Sequence, residues 1–193
     1  MRVTRYICLL LAALLCVTAG CARKKKTVPV SEASVGAPYQ ALDTASLLFF
    51  NGIHKSWQLD ANHIVKSLTD TGHINGNPIR ITVYDSLGKP SSKVLADSGS
   101  ADSRMQTFVV WSNVFVVAEN GVRVRAQQLN WSQKTHRVTS QSYVEITTQK
   151  GDVMRGKGVD AAEDFSSWQF FQDVSGRFPN FRERIDKGDV FAP

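Results

Sequence analysis

Short stretches in which apolar and polar residues alternate recur at a regular interval along this chain, and this repeat most constrains what the chain can fold into. Val94-Leu95-Ala96, Val124-Arg125-Ala126 and Met154-Arg155-Gly156 are evenly spaced, and Leu59-Asp60-Ala61 precedes the first at a slightly longer interval. Alternation with a period of two is typical of β-strands that bury one face. A hairpin unit of about 30 residues cannot bury its apolar face alone, so neighbouring units must stack to complete the core. The repeat therefore predicts an all-β stack of antiparallel hairpins.

Turn sequences separate the predicted strands. They are Asn51-Gly52, Asn75-Gly76-Asn77-Pro78, Ser86-Leu87-Gly88, Asn120-Gly121 and Lys150-Gly151. No amphipathic helix longer than two turns is predicted, and Ala41–Phe50 is either a short helix or the first strand. Thr107–Val117 is apolar in both phases, which predicts a strand buried on two sides or lying against an apolar ligand.

The N-terminus has the features of an exported protein. Met1–Arg5 carries two arginines, Tyr6–Val17 is apolar, and Thr18-Ala19-Gly20 offers small residues for cleavage, so residues 1–20 are predicted to be a signal peptide. The apolar run is shorter than the ~20 residues that a transmembrane helix needs. Thr18-Ala19-Gly20-Cys21 resembles a bacterial lipobox, in which the cysteine is lipidated and becomes the first mature residue. The alternative is an ordinary signal peptide followed by an incidental cysteine.

Cleavage and lipidation would change the cysteine content and the net charge of the mature protein. Cys8 and Cys16 would leave with the leader and Cys21 would carry the lipid, so the mature fold would have neither a free thiol nor a disulfide. Six of the 23 basic residues lie within residues 1–26, and the remaining 17 balance the 17 acidic ones. The domain is therefore neutral, which argues against nucleic acid as a partner.

Four domain segments are predicted. Residues 1–20 are the signal peptide, 21–46 the lipidated cysteine with a basic collar and a flexible tether, 47–178 the β-domain, and 179–193 a polar tail. The collar, Arg23–Lys26, is either a solvated spacer or an additional membrane contact, since each charge near an anionic leaflet contributes ~1 kcal/mol.

Motifs for catalysis or metal binding are not found. Gly151–Gly158 is similar to a phosphate-binding loop, but Gly158 stands where a hydroxyl would hold magnesium, and no helix is predicted to follow. His54, His63, His73 and His136 lack the spacing of metal ligands. We therefore expect no enzymatic activity, no metal and no cofactor.

A succession of motifs resembles the LptC family of lipopolysaccharide-export proteins, and it overlaps with the related LptA/OstA domains. The matching segments are Lys55–Ala61, Val83–Lys89, Val94–Gly99, Trp111–Val116, Gly121–Trp131, Thr139–Ile146, Gly156–Asp160 and Val174–Phe178. The resemblance thus covers roughly residues 55–178, in the order and spacing of the family.

The resemblance implies a β-jellyroll with an open, apolar-lined groove. It also implies a protein at the periplasmic face of the inner membrane that takes lipopolysaccharide from an ABC transporter and passes it to an LptA-like protein by head-to-tail strand pairing. Known members use an N-terminal transmembrane helix, for which a lipid on Cys21 would substitute as the tether. The sequence leaves open which membrane retains the protein, and the alternative function is an envelope scaffold without lipid cargo.

Alternation selects the residues whose side chains point inward, each of them a candidate for the lipid groove or for the ordinary core. They are Leu59, Ile81, Val83, Val94, Val110, Val114, Val116, Val124, Val144, Ile146 and Met154. The doubly apolar strand Thr107–Val117 is the preferred wall of the groove.

Overall fold

Ten β-strands form one antiparallel sheet in the computed structural model, which describes residues 38–69 and 72–179 together with Ile185. The strands are β1 (Tyr39–Asn51), β2 (His54–Ser67), β3 (His73–Tyr84), β4 (Pro90–Ala96), β5 (Ser98–Asp102), β6 (Thr107–Ala118), β7 (Arg123–Ser132), β8 (Arg137–Thr147), β9 (Val153–Ala162) and β10 (Trp168–Arg177). Each strand pairs with the next one along the chain, except that β4 and β5 lie end to end and both pair with β3 and β6. The predicted all-β class is confirmed.

The long strands bend near their midpoints, so that each contributes to two layers. β6 pairs with β5 before the bend and with β4 after it, and Ser112 and Asn113 at the bend have positive φ of 63° and 54°. The side-chain amide of Asn113 donates to Asp97 Oδ2 at 2.6 Å, which joins the bend to the junction between β4 and β5. Register shifts at the middle of β7, β8 and β10 continue the bend across the sheet.

The two layers face each other and enclose the core. Layer 1 is defined by residues 46–51, 54–61, 79–84, 90–96, 114–118, 123–126, 143–147, 153–157 and 175–177. Layer 2 is defined by residues 39–43, 62–67, 73–76, 98–102, 107–111, 128–132, 137–140, 159–162 and 168–172. The ring centroids of Trp57 in layer 1 and Phe108 in layer 2 are 4.5 Å apart in an edge-to-face contact, so the layers pack directly on each other. The architecture is that of a β-jellyroll.

Three details differ from the sequence predictions. β1 begins at Tyr39 and pairs with β2 along its length, so residues 39–46 are strand rather than tether. Asn75–Pro78 lies within β3 and not in a turn, because it occupies the bend, where Gly76 lets Ile79 approach the backbone. The strand β6 buries only one face, and Val117 on the other face is 38% exposed. The residues before 38 and most of the tail 179–193 lie outside the described residues, as do Cys21 and the collar.

Gly156 in β9 is a point of close packing and gives a stability prediction. A Cβ at this position would lie 2.6 Å from Cδ1 of Phe170 and 2.8 Å from its Cγ. We expect Gly156→Ala to lower the free energy of unfolding by about 1–3 kcal/mol, measured by urea unfolding, because overpacking displaces neighbouring groups. The same change made together with Phe170→Ala should cost clearly less than it does alone. Equal costs in the two backgrounds would contradict the clash.

Candidate functional site

Apolar side chains form a continuous row across layer 1. Each residue of the row is the cross-strand partner of the next one. In order, they are Leu47, Leu59, Ile81, Val94, Val116, Val124, Ile146 and Met154. This apolar row explains the even spacing of the repeat, since Val94, Val124 and Met154 occupy the same position in successive hairpins. Neighbouring side chains on one face of a sheet contact each other directly, so the row forms a continuous wall.

Layer 2 supplies larger and more aromatic side chains opposite this wall. Phe108, Trp131 and Val138 are cross-strand neighbours in β6, β7 and β8. The ring centroids of Phe108 and Trp131 are 5.4 Å apart. On the other side, Phe49 stacks on Trp57 with centroids 3.6 Å apart. Aromatic surfaces therefore cover the part of the core nearest the strand ends.

A cavity of about 90 Å³ lies between these two walls. Its lining is Trp57, Ile81, Val83, Ser92, Val94, Phe108, Val110, Val116, Leu129, Trp131, Val138, Glu163 and Phe165. Ligand pockets typically measure ~300–1,000 Å³, so the cavity in this state admits a short segment of an apolar chain rather than a whole lipid. The lipid groove expected from the sequence stays a prediction, and the structure has a narrow apolar slot at this place.

Five of the predicted groove residues meet in the cavity, and six do not. Those in the cavity are Ile81, Val83, Val94, Val110 and Val116. Val124 and Ile146 are fully buried core, and Met154 is half-buried near the β10 edge. Leu59 lines a separate void of about 10 Å³. Val114 and Val144 are buried next to the bend, at the opposite end of the layers from the cavity.

Sequence reasoning missed several cavity residues. Alternation with polar neighbours would have been enough to place three of them among the predicted groove residues. These three are Trp57, Leu129 and Val138. Phe165 was not identifiable by alternation, because it lies in the turn between β9 and β10 and still points into the core.

A more polar cleft of about 290 Å³ adjoins the cavity at the strand ends and shares Trp57, Val83, Trp131 and Glu163 with it. Glu163 joins neighbouring elements there: its Oε2 accepts a hydrogen bond from Trp131 Nε1 at 3.0 Å, and its Oε1 lies 3.0 Å from His136 Nδ1. Arg104 lines the cleft and forms no ion pair with another described residue. The apolar cavity therefore opens towards a rim that carries charge.

Two carboxylates stabilise the turns at this rim. Asp102 accepts hydrogen bonds from the backbone N–H of Arg104 and Gln106 and from the Thr107 hydroxyl, at 2.9, 3.0 and 2.7 Å. Partial burial raises the pKa of Asp102, but these hydrogen bonds outweigh it and leave the pKa below its ordinary value. In Asp164 the backbone N–H of Ser166 is the main cause of a lowered pKa. Both turns are thus stabilised by ionised carboxylates at neutral pH and lose that contribution as pH falls through the lowered pKa values.

The described residues contain neither a group of three or more His, Cys, Asp or Glu side chains placed to hold a metal, nor a helix long and apolar enough to span a membrane. The candidate site of this part of the chain is therefore the apolar cavity with its polar rim. Its lining is almost entirely apolar, and burial of apolar surface away from water is favourable.

The described part of the chain is a two-layer β-roll around an apolar slot. A family model described as lipopolysaccharide-assembly, LptC-related, matches residues 6–178. The chain belongs to this LptC-related family, and its role is in lipopolysaccharide transport. The family resemblance inferred from the sequence motifs is thereby confirmed.

Similarity outside the family model is distant. No curated protein matches the chain. A solved structure that resembles it is LptH of Pseudomonas aeruginosa, described as the LptA-homologous periplasmic component of the lipopolysaccharide transport device. The two share 6% identity with a TM-score of 0.40, and the match covers 73% of this chain and 94% of the other.

Proposed function

We propose that this protein is a membrane-anchored periplasmic carrier that accepts lipopolysaccharide from an inner-membrane ABC transporter and passes it to an LptA-like protein. The observation that carries the proposal is the apolar cavity between the two layers of a chain from a lipopolysaccharide-assembly family. Burying one CH₂ group contributes ~0.8 kcal/mol, so even a short segment of an acyl chain gains several kcal/mol from such a wall. No step of this function requires catalysis.

Adjacent residues of β6 allow the cargo to be tested in cells. Val116 lines the cavity and is buried, whereas Val117 points to the other face and is 38% exposed. A photo-crosslinking amino acid at Val116 or Val110 should form adducts with lipopolysaccharide, and the same group at Val117 should not. Depletion of the protein should stall lipopolysaccharide before it reaches the cell surface.

The alternative function is a scaffold that binds proteins and carries no lipid. Protein adducts instead of lipopolysaccharide adducts at several cavity positions would favour it. Unchanged surface lipopolysaccharide after depletion would contradict the carrier.

The exposed edge strand β10 supports transfer by strand addition. Among the described strands it pairs only with β9, and its residues Phe171 and Val174 are exposed. Unpaired edges with exposed apolar side chains are templates for an added strand. The β1 edge at the other end of the sheet carries exposed Leu48 and Phe50 in the same way.

Charge on the β10 edge should prevent this pairing. Val174→Lys is expected to leave the unfolding midpoint within error and to reduce capture of an LptA-like partner at least tenfold in a pull-down, because lysine blocks edge-to-edge addition. Leu87→Lys is the matched control, since Leu87 lies in an exposed turn between β3 and β4. If Val174→Lys captures the LptA-like partner as well as the wild type does, the proposal that β10 takes part in transfer is contradicted.

Anchoring is proposed to rest on Cys21, with the basic collar as a further attraction to an anionic leaflet. Two lipid chains on one cysteine suffice for stable attachment, whereas a single chain binds only marginally. The inner membrane is the proposed location because the ABC transporter that supplies the cargo is there.

A further inference from the structure

Two turns at the rim of the cavity share an unusual conformation. Met105, between β5 and β6, and Phe165, between β9 and β10, have positive φ of 58° and 54°. Their separation along the chain is two repeat units. Both are large apolar residues, and both are buried, with exposures of 6% and 3%. Bulky residues rarely adopt this left-handed conformation, and where they do the surrounding structure must hold them there.

Phe165 is held across the gap between the two layers. The side-chain amide of Asn120, in the layer 1 turn between β6 and β7, donates to the carbonyl oxygens of Asp164 at 3.2 Å and Phe165 at 3.4 Å. Asn120 Oδ1 in turn accepts from the backbone N–H of Val122 at 3.1 Å, which fixes its orientation. The turn that carries Phe165 is therefore fastened to the opposite layer by one side chain.

The same turn is attached to its own layer by a second set of bonds. Glu163 is bound by Trp131 and lies against His136, and its backbone N–H donates to the carbonyl of His136 at 3.2 Å. Loss of the Asn120 bonds would leave these intact. The Phe165 ring of this turn forms part of the cavity wall.

We propose that the rim between the 118–123 and 162–168 turns is the port through which acyl chains enter the cavity, with Phe165 as its plug and Asn120 as its latch. The inference rests on the proposed function and adds to it the place of entry. The occupant is a single acyl chain of an amphiphile, because the cavity is narrow and almost wholly lined by carbon, while the adjoining cleft offers Arg104 to an anionic head group.

Stopped-flow binding of dansyl-labelled undecanoic acid to the purified full-length protein tests the port, with unlabelled lipopolysaccharide as competitor. We expect Asn120→Ala to raise the association rate about 3- to 10-fold, the range that corresponds to the loss of ordinary hydrogen bonds. Phe165→Gly should raise it as well, since glycine tolerates the positive φ and removes the ring. Asn130→Ala is the matched control, because Asn130 donates to the Thr139 carbonyl at 3.4 Å within layer 2, and its rate should equal that of the wild type.

The outcomes separate the port from the carrier function. Probe binding that lipopolysaccharide displaces, at the wild-type rate in both port variants, would overturn the port and leave the carrier function standing. A faster rate in Phe165→Gly alone would also overturn the latch, since Asn120 does not line the cavity and its variant keeps the core intact. Absence of binding in the wild type and in every variant would overturn the carrier function, and the port with it.

Discussion

Replacing Cys21 with serine is expected to move the protein almost completely from the membrane fraction to the soluble fraction. The proposed attachment depends on a thioether-linked lipid, and a hydroxyl at this position does not form that bond. Every buried CH₂ of the lipid contributes ~0.8 kcal/mol to membrane binding, and acyl chains contain many such groups. The collar has only four charges at ~1 kcal/mol each, so the collar alone does not retain the protein. Fractionation of cell envelopes with immunoblotting measures the shift.

Cysteines in the leader provide matched controls for this change. Cys8→Ser and Cys16→Ser lie within the predicted signal peptide and should leave the mature protein on the membrane. Labelling with a radioactive or clickable fatty acid should mark the wild type and both controls, and fail to mark Cys21→Ser. Continued membrane attachment of Cys21→Ser would contradict the lipobox and point to the uncleaved apolar segment as the anchor.

Truncation of Ile146 to alanine should destabilise the fold by about 2–5 kcal/mol. Ile146 has no exposed surface and stands in the apolar row between Val124 and Met154. The rigid strands on either side prevent collapse of the space, so a cavity remains. Because marginally stable domains have only ~5–15 kcal/mol of stability, this loss should appear as a large fall in the urea midpoint.

Tryptophan fluorescence follows this unfolding well, since Trp57 and Trp131 lie at the interface of the two layers. Val117→Ala removes two methyl groups from the outer face of β6 and is the control, with an expected cost below about 0.5 kcal/mol. Similar losses in both variants would show that the row is not the structural core.

The repeat predicted an all-β stack of antiparallel hairpins, and the described residues have this architecture. The regular spacing along the sequence assigns Val94, Val124 and Met154 to equivalent positions of successive units. Strand pairing in the structure places these three residues in one row across the sheet. Equal spacing implies equal register when hairpins of one length stack, so the row follows from the sequence. The first strand could not be delimited in this way, because Tyr39–Asp43 shows no clear alternation and acquires its structure by pairing with β2.

The bend, in contrast, was not predictable from alternation. A bend requires a few residues in unusual backbone conformations, and at Ser112 and Asn113 these are not glycines. The sequence Asn75-Gly76-Asn77-Pro78 does signal a change of direction, but it predicts a turn between strands rather than a bend within one. Since the bend determines which residues face the cavity, alternation assigns Val114 and Val144 to the groove although they lie beside the bend.

The place of Phe165 in the cavity wall was also not predictable from alternation. Phe165 sits in a sequence of polar turn residues, where an exposed position is the ordinary expectation. Its carbonyl nevertheless accepts a hydrogen bond from Asn120 of the opposite layer, and its buried side chain forms part of the cavity wall. Such contacts between distant turns carry no local signal.

β1 and β10 are the two outer strands of the sheet and do not pair with each other among the described residues. The roll is consequently not closed like a barrel, in which the number of strands fixes the diameter. Its width is set by the bend, and its length by how many hairpins the chain contains. Duplication of one hairpin unit would therefore lengthen the apolar interior of the roll in a discrete step while leaving its cross-section unchanged.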